Sequence, residues 1–156
     1  MPVKPIPEGY HSITPYLMVA DADKSLEFYK KAFGAELPSP AMKGPNGKTA
    51  HAEMKVGDSR LMIGTQMDGQ DNKPTDAMHL YLYVPDADAV FKKATAAGAK
   101  SVVDMTDQFY GDRSGAVKDP DGHTWWIATH KEDLSQAEME KRSAEYFAKK
   151  SKSMAA

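Results

Sequence analysis

The chain contains no cysteine, and this absence excludes three kinds of chemistry at once. Disulfide bonds, thiolate nucleophiles and thiolate metal ligands are all ruled out, and a cysteine-free chain is typical of the reducing cytoplasm, where we expect this protein. Nitrogen ligands for a metal are limited to the 5 histidines. The chain also lacks the run of roughly 20 apolar residues that crosses a bilayer, and it lacks the apolar segment of a secretory signal.

An excess of charge of one sign is absent as well. The 20 Lys and Arg residues nearly balance the 22 Asp and Glu residues, so the net charge at pH 7 is −2. This balance gives no electrostatic reason to bind nucleic acid or an anionic membrane, and we expect neither as a partner. The composition that remains is an ordinary globular one, 41% hydrophobic and 27% charged, in a chain of 156 residues that can bury a substantial core.

Two segments of the chain resemble each other and indicate a duplicated unit. The segment YLMVADADKSLEFYKKAFGAEL begins at Tyr16, and the segment YLYVPDADAVFKKATAAGAKSV begins at Tyr81. Each opens with an alternating β-rich stretch, continues through Asp-Ala-Asp into an apolar stripe of helical spacing, and ends at Gly-Ala. A hairpin signal at Asn46-Gly47 follows the first helix, and Asp-Pro-Asp-Gly precedes the last strand. The sequence therefore predicts a β-α-β-β-β unit that is used twice.

The C-terminal segment, residues 132–156, follows a different pattern. Ser135 and Glu138 match a capping box, which predicts one amphipathic helix over about 135–150 and a frayed polar tail after it. We expect this helix to pack on the body or on a second subunit. An interaction module assembled through this helix is therefore one of the functional alternatives.

The tandem units, and the sequence GAVKDPDGHTWWIATH in the second of them, resemble the vicinal oxygen chelate superfamily of glyoxalases, bleomycin-resistance proteins and extradiol dioxygenases. The similarity is to the bacterial glyoxalase-like branch that is grouped with bleomycin-resistance proteins. It implies one α+β domain over 1–131, with unit one at about 12–66 and unit two at about 77–131, in which two tandem βαβββ units form a cupped eight-stranded half-barrel sheet with helices outside. It also implies a small organic ligand in the cup and a homodimer, with the cup built within one chain or across two.

The resemblance also implies where a metal would bind. Metal-dependent members take His, Glu or Gln ligands from the first and last strands of each unit, and the matching positions here are Thr14, Met62, His79 and Trp126. Only His79 is a suitable ligand for a divalent ion, so we favour no cofactor. A divalent metal ion stays an alternative if the strand face of His51 and Glu53 joins His79 in a set of two histidines and one carboxylate.

The predicted cup is mostly aromatic, and this surface suits an aromatic or cationic compound. We therefore predict a small-molecule-binding protein that holds such a compound without a metal. The alternative is a metal-dependent lyase, isomerase or dioxygenase that uses His79 with His51 and Glu53, so that enzymatic activity is left open. The residues predicted to contact the ligand are Thr14, Tyr16, Met18, Met62, His79, Tyr81, Tyr83, Tyr110, Arg113 and Trp126.

Overall fold

The computed structural model describes residues 4–66, 73 and 76–154. Its elements follow the predicted order of two β-α-β-β-β units and a C-terminal helix. In chain order they are β1 (Tyr16–Val19), α1 (Ala22–Phe33), β2 (Met42–Lys43), β3 (Thr49–Val56), β4 (Ser59–Thr65), β5 (His79–Tyr83), α2 (Ala87–Ala96), β6 (Lys100–Asp107), β7 (Asp112–Lys118), β8 (Thr124–His130) and α3 (Gln136–Met154).

The eight strands form two four-stranded sheets of the same order, β1-β4-β3-β2 and β5-β8-β7-β6. In each sheet the first strand of the unit runs parallel to the last, so that Tyr16 pairs with Met62 and Tyr81 with Trp126. The remaining neighbours are antiparallel. The predicted α+β fold of two tandem cupped units with a C-terminal helix is confirmed. Its strand order brings the first and last strands of each unit side by side.

Both unit helices begin at the aspartates that the sequence indicates. The Asp21 carboxylate accepts a hydrogen bond from the Lys24 backbone N–H, and Asp86 caps α2 in the same way. The first helix ends at Gly34, whose φ of 67° is the left-handed conformation that glycine adopts without strain. The second helix ends one residue before its glycine, at Ala97.

One core joins the two units. The ring of Trp125 on β8 lies 5.5 Å from the ring of Tyr29 and 4.7 Å from that of Phe33, both on α1. The Tyr29 hydroxyl donates to the Asp119 carboxylate at 2.6 Å, and the Trp125 indole N–H donates to the same oxygen at 3.0 Å. The Tyr29–Asp119 bond crosses between the units in a buried setting, and the Trp125 bond fixes the same carboxylate within the second unit. The helix side of each sheet therefore faces a shared interior.

The opposite side of each sheet follows from the alternation of side chains along a strand. Since one side faces the shared interior, the other side points away from it, and we call this the outward face. On the first sheet it carries Tyr16, Met18, His51, Glu53 and Met62, and on the second sheet His79, Tyr81, Tyr83 and Trp126. Several of these rings are well exposed.

The C-terminal helix begins as predicted, because the Ser135 hydroxyl accepts a hydrogen bond from the Glu138 backbone N–H at 3.2 Å. It extends to Met154, beyond the predicted end near residue 150, and none of its residues is buried. Its contact with the body is aromatic: the Tyr146 ring lies 4.7 Å from that of Phe109, in the loop before β7. No helix in the described part of the chain is long and apolar enough to cross a membrane.

Candidate ligand-binding site

Three aromatic rings stand together on the outward face of the second sheet. The β5–β8 register places Tyr81 opposite Trp126, and their rings lie nearly parallel, at an interplanar angle of 11° and a centroid distance of 6.1 Å. The Tyr83 ring follows at 5.1 Å from Tyr81, tilted by 47°. Tyr81 is 41% exposed and Tyr83 59% exposed. The two tyrosine planes thus form an angled wall that is open to solvent.

A buried carboxylate lies behind this wall. Asp112, at the start of β7, is only 4% exposed. One of its oxygens accepts hydrogen bonds from the hydroxyls of Tyr83 at 2.9 Å and Tyr81 at 3.3 Å, and the other lies 2.8 Å from Nδ1 of His130. The Tyr81 hydroxyl also lies 3.2 Å from that of Tyr110. A buried charge needs such partners, and here the partners are the hydroxyls of the two exposed tyrosines and the imidazole of His130.

The same contacts keep these groups in defined protonation states. Burial, followed by the bond to Tyr110, raises the pKa of the Tyr81 hydroxyl, and the bond to Asp112 raises that of Tyr83. Both phenols therefore stay protonated and donate to the carboxylate. The bonds from Asp112 and then from Asp133 raise the pKa of His130, because both carboxylates favour the charged imidazolium.

His79 lies on the same face, opposite Thr124 in the β5–β8 register. Its Nδ1 accepts a hydrogen bond from the Trp126 indole N–H at 3.2 Å. This contact defines the tautomer, since a nitrogen that accepts is unprotonated and the proton of a neutral ring then sits on Nε2. His79 therefore fixes the orientation of the Trp126 ring and presents its other nitrogen outward.

The outward face of the first sheet is built around Tyr16. Its hydroxyl lies 3.0 Å from Nδ1 of His51, and the two rings meet edge to face at 5.4 Å. The ring crosses over Gly64, where a Cβ would lie 2.6 Å from the Tyr16 oxygen. Met62 is the β4 residue opposite Tyr16. Tyr16, Met18 and Met62 therefore share the outward face of the first sheet, whereas the Tyr81, Tyr83 and Trp126 rings lie on the second sheet.

The predicted metal ligands do not form a metal site within one chain. His51 and Glu53 lie on the first sheet and His79 on the second, and the carboxylate of Glu53 pairs with Arg60 at 3.5 Å. Within the described ranges there is no cluster of three or more His, Asp or Glu residues suited to a metal ion. The four positions that the resemblance implies offer a hydroxyl, a thioether, an imidazole and an indole. This donor set does not fit a divalent cation.

Two predicted contact residues are placed differently from the rings of the wall. Thr14 precedes β1 and lines a cavity of about 210 Å³ between the two units, to which β5 contributes Leu80, Tyr81 and Leu82. Arg113 lies on the opposite face of β7 from Asp112, because adjacent residues of a strand alternate. Its guanidinium forms two bonds to Asp88, at 2.6 and 2.8 Å, and so fixes the start of α2 to the second sheet.

The prediction missed two residues of the site, Asp112 and His130. His130 was visible in the alternation pattern of β8, whereas Asp112 follows only once the register of β7 against β8 is known. Counting in steps of two from Trp126 along β8 reaches His130, and the antiparallel register then places Asp112 opposite it. Gly111-Asp112-Arg113 reads as a turn in the sequence, so the start of β7 at Asp112 is not evident from the sequence alone. Without that start, the sequence does not show which of Asp112 and Arg113 lies on the outward face.

The fold and the face just described define the class of protein. Residues 9–127 match the model of the Glyoxalase/Bleomycin resistance protein/Dioxygenase superfamily, and the chain belongs to this family. Uncharacterised proteins of Mycobacterium bovis and Mycobacterium tuberculosis are 33% identical to it over 137 residues. These matches cover 83% of this chain, with 90% of the M. bovis protein and 80% of the M. tuberculosis protein.

Solved structures are similar in fold. TioX from Micromonospora sp. ML1 superimposes with a TM-score of 0.60 at 23% identity, over 80% of this chain and 100% of that one. A glyoxalase-related enzyme from Fulvimarina pelagi gives a TM-score of 0.59 at 18% identity, over 76% of this chain and 88% of that one. At these identities the likeness concerns the fold alone.

Proposed function

We propose that this protein binds a small aromatic or cationic organic molecule on the outward face of its second sheet, by ring stacking and a few hydrogen bonds. The proposal is carried by the exposed rings of Tyr81 and Tyr83 together with the partly buried ring of Trp126 beside them. Rings of this size contribute much binding area and lose little conformational entropy, and a contiguous exposed patch of them marks an interaction site. Because the bonds to His79 and Asp112 hold their polar ends, the rings are preorganised for a ligand.

The proposed binding needs no metal. Stacking and hydrogen bonding use only side chains that already face outward, and no covalent step is required. The metal-dependent alternative would need His51, Glu53 and His79 to act together, although His51 lies against Tyr16 and Glu53 against Arg60. Binding is therefore the function that the arrangement supports best.

We also propose a homodimer in which the outward face of the first sheet of one copy covers that of the second sheet of its partner. Such a dimer would bury Tyr16 together with Tyr81 and Tyr83, which are the largest exposed side chains on the two faces. It would turn the open wall into a closed cup. Removing this apolar area from water favours the association by roughly 25 cal/mol per Å².

Intrinsic fluorescence tests the binding proposal, because the chain has 2 tryptophans in contrasting places. Trp126 is on the outward face, and Trp125 is buried on the helix side. Titration with benzyl alcohol and benzylamine should give a saturable change in emission. The Trp126→Phe variant should lose that change while Trp125 still emits. No saturable response, or a response unchanged in Trp126→Phe, would contradict the proposal.

Mixing two variants tests the shared cup. Tyr16→Ala alters the first-sheet face and Tyr81→Ala the second, and each alone should weaken binding several-fold. If the cup is built across two copies, a mixed dimer contains one cup that carries both changes and one that is intact. Unfolding and refolding the two variants together should then restore tight binding to about a quarter of the cups. No recovery in mixtures that sedimentation shows to be dimeric would contradict the shared cup.

A further inference from the structure

On the basis of the proposed function, we infer that the site selects an organic cation, such as a protonated amine or a quaternary ammonium group, with the buried carboxylate of Asp112 as its counter-charge. The inference depends on the juxtaposition of two features. The Tyr81 and Tyr83 rings are exposed beside the partly buried ring of Trp126, and the carboxylate lies at the polar ends of the two tyrosines.

The ring geometry favours a positive charge. A cation is attracted to the negative face of an aromatic ring, and most strongly to tryptophan and tyrosine. The Tyr81 and Tyr83 rings are both exposed and lie 5.1 Å apart, so that a cation bound at this wall lies near two aromatic rings. Both hydroxyls donate to Asp112, and a phenol that donates to a carboxylate gains electron density in its ring. The hydrogen bonds therefore strengthen the attraction that the ring faces exert.

The charges around the wall sum to a negative value. His130 bridges Asp112 and Asp133, with its second nitrogen 3.0 Å from the Asp133 carboxylate. When His130 is protonated, its single positive charge is smaller than the summed negative charge of the two carboxylates. When His130 is neutral, neither carboxylate is compensated. On the other face of β7, Arg113 is likewise shared between two carboxylates, those of Asp88 and Asp107. The ion-pair partner of Asp112 is His130, which Asp112 shares with Asp133, so the carboxylate favours a cationic ligand over an anionic one.

The burial of Asp112 makes its charge more effective. At 4% exposure it is poorly screened by water, so it acts on a charge at the ring faces more strongly than a surface carboxylate would. An uncharged ligand gains no charge–charge attraction from this carboxylate. The same carboxylate therefore discriminates between a cation and an uncharged molecule of equal shape.

Two soluble probes of similar size separate the alternatives. Benzylammonium and benzyl alcohol present the same ring, and only the first is charged at neutral pH. Titrated against the Trp126 emission, benzylammonium should bind at least about tenfold more tightly than benzyl alcohol, a ratio that corresponds to roughly 1.4 kcal/mol. In Asp112→Asn the two affinities should become equal within about twofold, because the neutral amide removes the charge and keeps the shape.

Two further variants test whether the preference for a cation comes from Asp112 itself and not from any nearby carboxylate or from a change in folding. Asp107→Asn removes an exposed carboxylate on the other face and should keep the preference for benzylammonium. Tyr83→Phe keeps the exposed ring and removes its bond to Asp112, so it should lower the ratio of benzylammonium affinity to benzyl alcohol affinity about threefold. This second variant decides the question if Asp112→Asn does not fold.

The outcomes distinguish this inference from the proposed function. Equal binding of the two probes by the unaltered protein would overturn the inference and leave the proposed function standing. A preference that persists in folded Asp112→Asn, or is unaffected by Tyr83→Phe, would also overturn it. Failure of both probes to bind would count against the proposed function itself.

Discussion

Replacing Tyr29 with phenylalanine tests whether the two units are bonded into one core. The change removes one buried oxygen, whose bond to Asp119 measures 2.6 Å. The carboxylate keeps the Trp125 indole and the backbone N–H groups of Asp121 and His123 as donors. A hydrogen bond to a charged acceptor contributes about 1.5–3 kcal/mol, and since three donors remain we expect a loss of roughly 2 kcal/mol. For a chain of this length that loss lowers Tm by about 4–8 °C.

Thermal unfolding followed by circular dichroism measures the effect, and Tyr146→Phe is the matched control. It removes the same atom from an exposed ring on α3 and should change stability by less than about 0.5 kcal/mol. Both proteins should unfold in a single transition, because the units share an interior. A Tm of Tyr29→Phe within about 1 °C of the unaltered protein, or two separate transitions, would refute the reasoning.

Three other changes have expected outcomes. Gly111→Ala should cost more than about 2 kcal/mol in urea unfolding, because φ is +97° and the new Cβ would meet the Glu132 carbonyl oxygen at 2.5 Å. Gly64→Ala should leave the fold intact and weaken ligand binding severalfold, because its Cβ would displace the Tyr16 ring. The two carboxylates around His130 raise its pKa above 6.5. The stabilisation from charged His130 is complete below pH 6.5 and is lost as the pH rises through the pKa of His130 in the folded protein. The urea midpoint of the unaltered protein should therefore fall as the pH rises, and that of His130→Asn should not show this fall.

Much of the fold could be predicted because the information is local. The repeated Asp-Ala-Asp marks two helix starts, and Asp21 caps α1 through a residue only three positions away. Alternation along a short strand likewise placed His79, Tyr81 and Tyr83 on one face without any knowledge of the partner strands. Where the physical cause lies within a few residues, a single sequence carries the answer.

The rest depends on contacts between distant segments. Arg113 was predicted to meet the ligand, but its partner Asp88 is at the start of α2, and only the packing of that helix brings the two together. The network of Asp112 and His130 depends on the register of two strands. The position of His51 likewise depends on how the strands assemble into sheets. The sequence could therefore suggest a metal site of His51, Glu53 and His79, although the fold places His79 on a different sheet from the other two.

The strand order has a consequence for synthesis of the chain. In each sheet the last strand made, β4 or β8, occupies an inner position between two strands made earlier. Until β8 leaves the ribosome, β5 and β7 have no common neighbour, and the unpaired backbone N–H and C=O groups along their edges are open to other nascent chains. The second unit is therefore most prone to aggregation just before its completion, and a premature stop shortly ahead of Thr124 should yield insoluble protein rather than a folded fragment.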